Sequence, residues 1–305
     1  MGFLSIAADS CDFMARIEDR FERTLSVSAP TRLIVDTGSG DVHVRRGTDG
    51  TVSVQGHMFI HALTRQQAHE LAEKIKADPP IEILGNTVRI GDLSKYREGS
   101  SWFLGPSLSI NFDIQVPYDT EVELDSGSGD LVVNEIRGPV QAESGSGDIE
   151  ITSIEREVAV STGSGDIKVS GAAKVSAKAS SGDVKLSTIS GDVTIEVGSG
   201  DVVLQEIGSS VHVDTGSGDI RVDSALGSSA RWQLETSSGD VAIRLPADAR
   251  FALAAETSSG EIKADFPLTV TGKLSERELR GTVGESPSAE ISIETSSGDI
   301  RIGKR

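Results

Sequence analysis

The sequence predicts an all-β fold: a single-stacked β-solenoid (β-helix) of roughly 18–21-residue coils carrying a small helix-plus-hairpin insertion. Three observations predict it. The tripeptide Ser-Gly-Asp returns at near-constant spacing, with glycines at Gly129, Gly147, Gly165, Gly182, Gly200, Gly218 and Gly239 in steps of 18, 18, 17, 18, 18 and 21. The residues flanking each copy alternate between apolar and polar. The composition, 33 glycines in 305 residues with only 4% aromatics, suits many short strands and tight turns.

Each element follows from that pattern. After the corners come Leu131/Val133, Ile149/Ile151, Ile167/Val169, Val184/Leu186, Val202/Leu204 and Ile220/Val222; before them come Val140/Ala142, Val158/Val160, Val175/Ala177 and Val211/Val213. A period of two with β-branched residues on one face marks half-buried strands. A lone strand–corner–strand unit cannot bury its apolar face, whereas stacked units share one core. An antiparallel β-sandwich is the alternative, but it does not require so constant a spacing. The series extends to an early copy at Gly40-Asp41, a half-step copy at Gly191-Asp192, Gly260 with Glu261 in the Asp place, and Gly298 as its close, 38 residues further on. Trp232 and Phe251, where coils lengthen to 21, are expected in the core.

One stretch invites a different reading. LIVDTGSGDV (residues 33–42) and the second DTGS at Asp214 resemble the surroundings of the catalytic carboxylates of an aspartic protease. The sibling copies decide against it. AESGSGD, VSTGSGD, AKASSGD and LETSSGD put Glu, Ser or Lys where Asp36 and Asp214 stand, and a catalytic position does not vary so freely.

The corner has its own chemistry. Glycine supplies positive φ or room for close backbone approach. Stacking would set Asp130, Asp148, Asp166, Asp183, Asp201 and Asp219 in a column of like charges one strand apart. At an effective dielectric of ~20 each neighbouring pair costs about 3 kcal/mol. Turn N–H groups accepted by each carboxylate would offset this. Calcium between coils is the other candidate. Calcium-binding β-rolls read G-G-x-G-x-D-x-U-x, whereas here the Asp falls one place early and a second nine-residue unit is visible only at Gly191. The turn-amide reading therefore leads, and no cofactor is expected.

Residues 56–110 break the period. TRQQAHELAEKIKADPP predicts an amphipathic helix, N-capped by Thr64 with Gln67 three residues on, burying Ala68, Leu71, Ala72 and Ile75, and stopped at Asp78-Pro79-Pro80. IEILGNTVRI predicts a hairpin turning at Gly85-Asn86, and SLSINFDIQVP an alternating strand. Residues 1–20 are expected as a leader and 21–305 as the solenoid, with 57–106 an insertion capping an open end. Trp102 and Phe103 within it are the alternative place for a ligand or partner. His57, His61 and His69 lack a thiol to complete a zinc site.

The net charge of −18 repels phosphate backbones, which disfavours nucleic acid as a partner. The single cysteine, Cys11, excludes an internal disulfide, and Ala8-Asp9-Ser10-Cys11 is a poor lipidation box because of its Asp. No segment approaches the ~20 apolar residues of a membrane-spanning helix.

FERTLSVSAPTRLIVDTGSGDVHV, DPPIEILGNTVRIG, the serial TGSGD corners and ISIETSSGDIRI together resemble the bacterial "putative adhesin" β-strand-repeat family, a domain of unknown function related to the head GIN adhesins. The resemblance covers about residues 21–303. It implies a β-solenoid exported to the cell envelope or periplasm, no enzymatic activity and no catalytic residues. The clear export signal the family implies is not seen here. The function expected on this basis is that of a non-enzymatic envelope adhesin or structural scaffold, binding a protein or a cell-surface polymer. The alternatives are a regulatory module binding an envelope signalling partner and a polysaccharide-acting β-helix enzyme.

Overall fold

Each Ser-Gly-Asp corner joins two strands that lie in two different, facing sheets. We describe the fold from a computed structural model that covers residues 15–97, 106–270 and 275–305. Val140–Ser144 belongs to one sheet and Ile149–Ile154 to the other, and the coils Glu157–Ser164/Ile167–Ala172, Lys174–Ser181/Val184–Ile189 and Val193–Ser199/Val202–Ile207 repeat the arrangement. Successive coils pair in parallel and in register, Val140 opposite Val158, Val158 opposite Val175, Val175 opposite Val193. The chain is therefore an all-β solenoid, and the antiparallel sandwich does not hold. The sheets contain 13 and 14 strands, a stack roughly 60 Å long at ~4.8 Å per strand.

Period two in the sequence becomes inside and outside here. Val140, Ala142, Ile149 and Ile151 are all buried between the sheets, as are their counterparts in every neighbouring coil. Full burial of each Val or Ile stabilises by about 1.5–3 kcal/mol. Trp232 and Phe251 are buried, as expected. Trp232 faces Val211 of the adjacent coil and donates its indole N–H to the Ser209 carbonyl at 3.1 Å. Phe251 meets Phe266 edge-on, with ring centroids 5.3 Å apart.

The first end of the stack is built by β1 (Ala15–Ser26), β2 (Thr31–Thr37), β3 (Val42–Arg46), β4 (Thr51–Ala62), α1 (Arg65–Ala77), β5 (Ile81–Leu84), β6 (Thr87–Ile90), α2 (Ser94–Arg97) and β7 (Ser107–Val116). β2 and β3 form the first coil and pair in parallel with β6 and β7 respectively. Beyond these the pairing turns antiparallel: β5 closes one sheet on β6, while β4 on β7 and then β1 on β4 close the other. α1 packs against β1 and β4, burying Ala68, Leu71, Ala72 and Ile75, and the Thr64 side chain caps it by accepting the Gln67 N–H at 3.2 Å. Helix, hairpin and β7 match the sequence reading. The boundary at residue 21 does not: β1 begins at Ala15, inside the expected leader, because Ala15 to Arg20 continue the ladder on β4. Residues 1–14, with Cys11, and Trp102 and Phe103 lie outside the described residues.

The other end departs from chain order. Glu290–Ser297 lies between Arg231–Ser238 and Phe251–Ser259 in one sheet, and Ile300–Lys304 between Val241–Leu245 and Ile262–Ala264 in the other. The Gly298 coil is thus slotted between those of Gly239 and Gly260, rather than closing the series. Glu278–Val283 explains why. It runs antiparallel on Phe251–Ser259 and on Leu268–Val270, occupying the outer side of the Gly260 coil that a following repeat would need.

Candidate functional site

The corners stack into one ridge along the solenoid. Its spacing is set by the last glycine of each Gly-Ser-Gly or Ser-Ser-Gly. A Cβ on Gly182 would sit 2.0 Å from the Gly165 carbonyl oxygen, and the backbone there has φ +131°. No side chain fits, so the position is glycine in every copy. The first glycine is also close to its neighbour, a Cβ on Gly198 falling 2.5 Å from the Ser180 carbonyl oxygen, but it does not need positive φ, and serine replaces it at Ser180, Ser237, Ser258 and Ser296.

The predicted corner residues Gly129, Gly147, Gly165, Gly182, Gly200, Gly218 and Gly239 do form one column, each directly against its neighbour's carbonyl. Asp130, Asp148, Asp166, Asp183, Asp201 and Asp219 form the next. What offsets the like charges is a hydrogen-bond ladder between coils, whereas the sequence reading placed the donors in each aspartate's own turn. Asp130 Oδ1 accepts the Asp148 N–H at 2.9 Å, Asp148 that of Asp166 at 2.8 Å, Asp166 that of Asp183 at 2.9 Å, Asp183 that of Asp201 at 2.8 Å and Asp201 that of Asp219 at 2.9 Å. Asn111 begins the ladder by accepting the Asp41 N–H, and Asp219, Asp240 and Asp299 carry it on to Glu261.

Cations complete one half of the ridge. Arg221 bridges the outer oxygens of Asp201 and Asp219 at 3.0 and 2.6 Å, and Arg301 does the same for Asp240 and Asp299 at 3.4 and 2.6 Å. The Asp219 N–H, with help from Arg221, holds the Asp201 carboxyl below its ordinary pKa. Asp130, Asp148, Asp166 and Asp183 form no ion pair among the described residues, so this half keeps its negative charge. Beneath the ridge, Ser144, Thr162, Thr236 and Thr295 donate to the corner carbonyls of the preceding coils.

Among the described residues no three His, Cys, Asp or Glu side chains converge as metal ligands. The aspartates lie in line, one oxygen each committed to an N–H. His57 and His61 point outward from β4, and His69 is exposed on α1. Asp36 and Asp214 stand six strands apart in one sheet, roughly 29 Å, far beyond a shared proton. At the opposite corner Asp192 accepts the Ser209 hydroxyl at 2.7 Å and the Ser210 N–H, which lower its pKa. A cleft of about 240 Å³ between β2 and the β5–β6 hairpin is lined by Asp36, Glu82, Arg89, Asp92 and Lys95, with no nucleophile beside a base.

Sequence reasoning missed the second column. Glu135, Ser153, Gly171, Thr188 and Glu206 all have positive φ, between +54° and +72°, at the far connector of successive coils. The signal was present: each precedes a buried Ile136, Ile154, Ala172, Ile189 or Ile207, in steps of 18, 18, 17 and 18.

The model of the family described as Toastrack DUF4097 matches residues 31–303. The chain belongs to this family. No curated protein matches the Toastrack chain. Solved structures that align with it include a "putative cell adhesion protein" from Clostridium sporogenes at 11% identity, covering 94% of this chain and 100% of its own with TM-score 0.24. A "putative adhesin" from Bacteroides fragilis has 13% identity, coverage of 93% and 97%, and TM-score 0.36. A "putative lipid binding protein" from Parabacteroides distasonis has 11% identity, coverage of 93% and 96%, and TM-score 0.39. These superpositions are too loose to carry an argument about this Toastrack chain. Among its described residues no helix is long and apolar enough to cross a membrane.

Proposed function

We propose that the chain is a non-enzymatic protein of the bacterial cell envelope, an adhesin or structural scaffold that presents a long acidic β surface to a protein or a cell-surface polymer. The observation that supports this reading is the corner ladder. It joins coils from Asp41 to Glu261 into one stiff ridge, and it leaves Asp130 to Asp183 uncompensated toward solvent. A preorganised surface of repeated charge binds an extended, repetitive or cationic partner at low ordering cost. Cell fractionation, with external protease on intact cells, tests the location. Binding of purified chain to envelope polymers and to whole cells, compared with a variant in which Asp130, Asp148, Asp166 and Asp183 are all Asn, tests the surface. A cytoplasmic location overturns the envelope reading, and a hydrolase or lyase activity abolished by a single point substitution overturns the non-enzymatic one.

A further inference from the structure

β1 ends its sheet, and no described strand pairs with its outer edge. Twelve residues of unpaired backbone would template association unless masked. The outward face of this strand reads Arg16, Glu18, Arg20, Glu22, strictly alternating in sign. Arg20 and Glu22 have no ion-pair partner among the described residues, while Arg16 and Glu18 meet each other at 2.8 Å and remain about 60% exposed.

We infer that β1 pairs antiparallel with β1 of a second copy about a two-fold axis through Asp19, joining two sheets edge to edge. The charges select this register. With Asp19 opposite its own counterpart, Arg16 faces Glu22 of the second copy and Glu18 faces Arg20, and the two-fold makes four opposite-charge pairs. Sliding by two residues in one direction sets Arg16 against Arg20 and Glu18 against Glu18; in the other it sets Glu18 against Glu22 and Arg20 against Arg20. Like charges directly opposite are unfavourable. Sliding by one turns the apolar face outward. On the inner face the same register brings half-buried Ile17 against Phe21, and the Asp19 pair is compensated because Lys76 Nζ holds each carboxylate at 2.7 Å. A C₂ contact of this kind is self-complementary, as isologous interfaces must be.

Sedimentation equilibrium of the full chain tests it. The expected mass is twice 32.0 kDa, with dissociation strengthening as salt rises from about 50 to 500 mM. Arg20→Glu opposes two Glu pairs and is expected to weaken the dimer about tenfold or more. The swap Glu18→Arg with Arg20→Glu restores four opposite-charge pairs, and this register alone is then free of a like-charge pair, so affinity is expected to return to near the parent value. Thermal melts of both variants confirm folding. A chain that stays monomeric up to about 100 μM, a salt-insensitive dimer, a dimer indifferent to Arg20→Glu, or a swap that fails to rescue overturns the inference.

Discussion

Asp148 Oδ1 accepts the backbone N–H of Asp166 at 2.8 Å, one coil further along the stack. The bond makes each carboxylate the cap of its neighbour, so its removal is felt in the next coil. At Asp166, which in turn accepts the Asp183 N–H, replacement by Ala is expected to cost about 1–2 kcal/mol. Asp166→Asn keeps an acceptor, as Asn111 does naturally, and removes a charge from the column; it is expected to be neutral or stabilising. Urea unfolding of the two variants checks this.

Close stacking at the corner makes a sharper contrast. Gly182→Ala drives a Cβ into the Gly165 carbonyl and is expected to destabilise by about 3–5 kcal/mol. Gly198→Ser brings a Cβ to 2.5 Å from the Ser180 carbonyl oxygen but needs no positive φ, and serine already stands at this position in Ser180 and Ser237, so its expected cost is smaller, about 1–2 kcal/mol. Equal losses in thermal unfolding would contradict the assignment.

At the far connector, Ser153 holds φ +60° and its counterpart Gly171 φ +72°. The left-handed region costs a non-glycine residue roughly 1–2 kcal/mol, part of which glycine loses again through unfolded-chain entropy. Ser153→Gly is therefore expected to stabilise by up to about 1 kcal/mol, and Gly171→Ser to destabilise comparably, measured by the shift in melting temperature.

Asp125 stands opposite Asp36 and Glu143 on the outer face. Burial first, then the charges of Asp36, Glu143 and Glu123, raises its pKa. A raised carboxyl pKa means the folded chain holds the proton more tightly than the unfolded one, so the ionised group weakens folding at neutral pH. This penalty fades as pH falls through the raised pKa and is gone below the ordinary carboxylate range. Asp125→Asn is expected to stabilise by about 0.5–1 kcal/mol at pH 7 and to make no difference near pH 3, as melts across that range will show.

Because the ladder aspartates lie in line with one oxygen each already bonded, the melting temperature is expected to be the same in millimolar calcium and in chelator. An upward shift with calcium would restore the metal reading of the column.

The parts of this fold that were legible are those whose cause is local. Alternation around each corner, the Thr64 cap and the Gly85-Asn86 turn each depend on a few adjacent residues. The parts that were not legible depend on which coil lies next. Thr-Ser-Ser-Gly precedes Asp240, Glu261 and Asp299 alike, so nothing nearby distinguishes the Gly298 coil's true neighbours. They are selected by the hairpin strand Glu278–Val283 some distance away. The donors to the Asp column escaped notice for the same reason, since they come from the next coil. In β1 the apolar residues Ile17, Phe21 and Leu25 are interleaved with Asp19 and Arg23 on one face, and only their pairing with β4 shows it to be a strand.

The slotted Gly298 coil bears on how such a molecule changes length. A duplicated repeat after Leu245 would have to open a gap already filled by residues 290–304, and one appended beyond Lys304 would emerge in the interior of the stack. Between Gly129 and Gly239, chain order and spatial order coincide, and an extra coil shifts everything beyond it by one strand without breaking a pairing. A whole coil can therefore be added or removed between Gly129 and Gly239 with every remaining strand keeping a parallel partner, whereas the end that holds the Gly298 coil obstructs such a change.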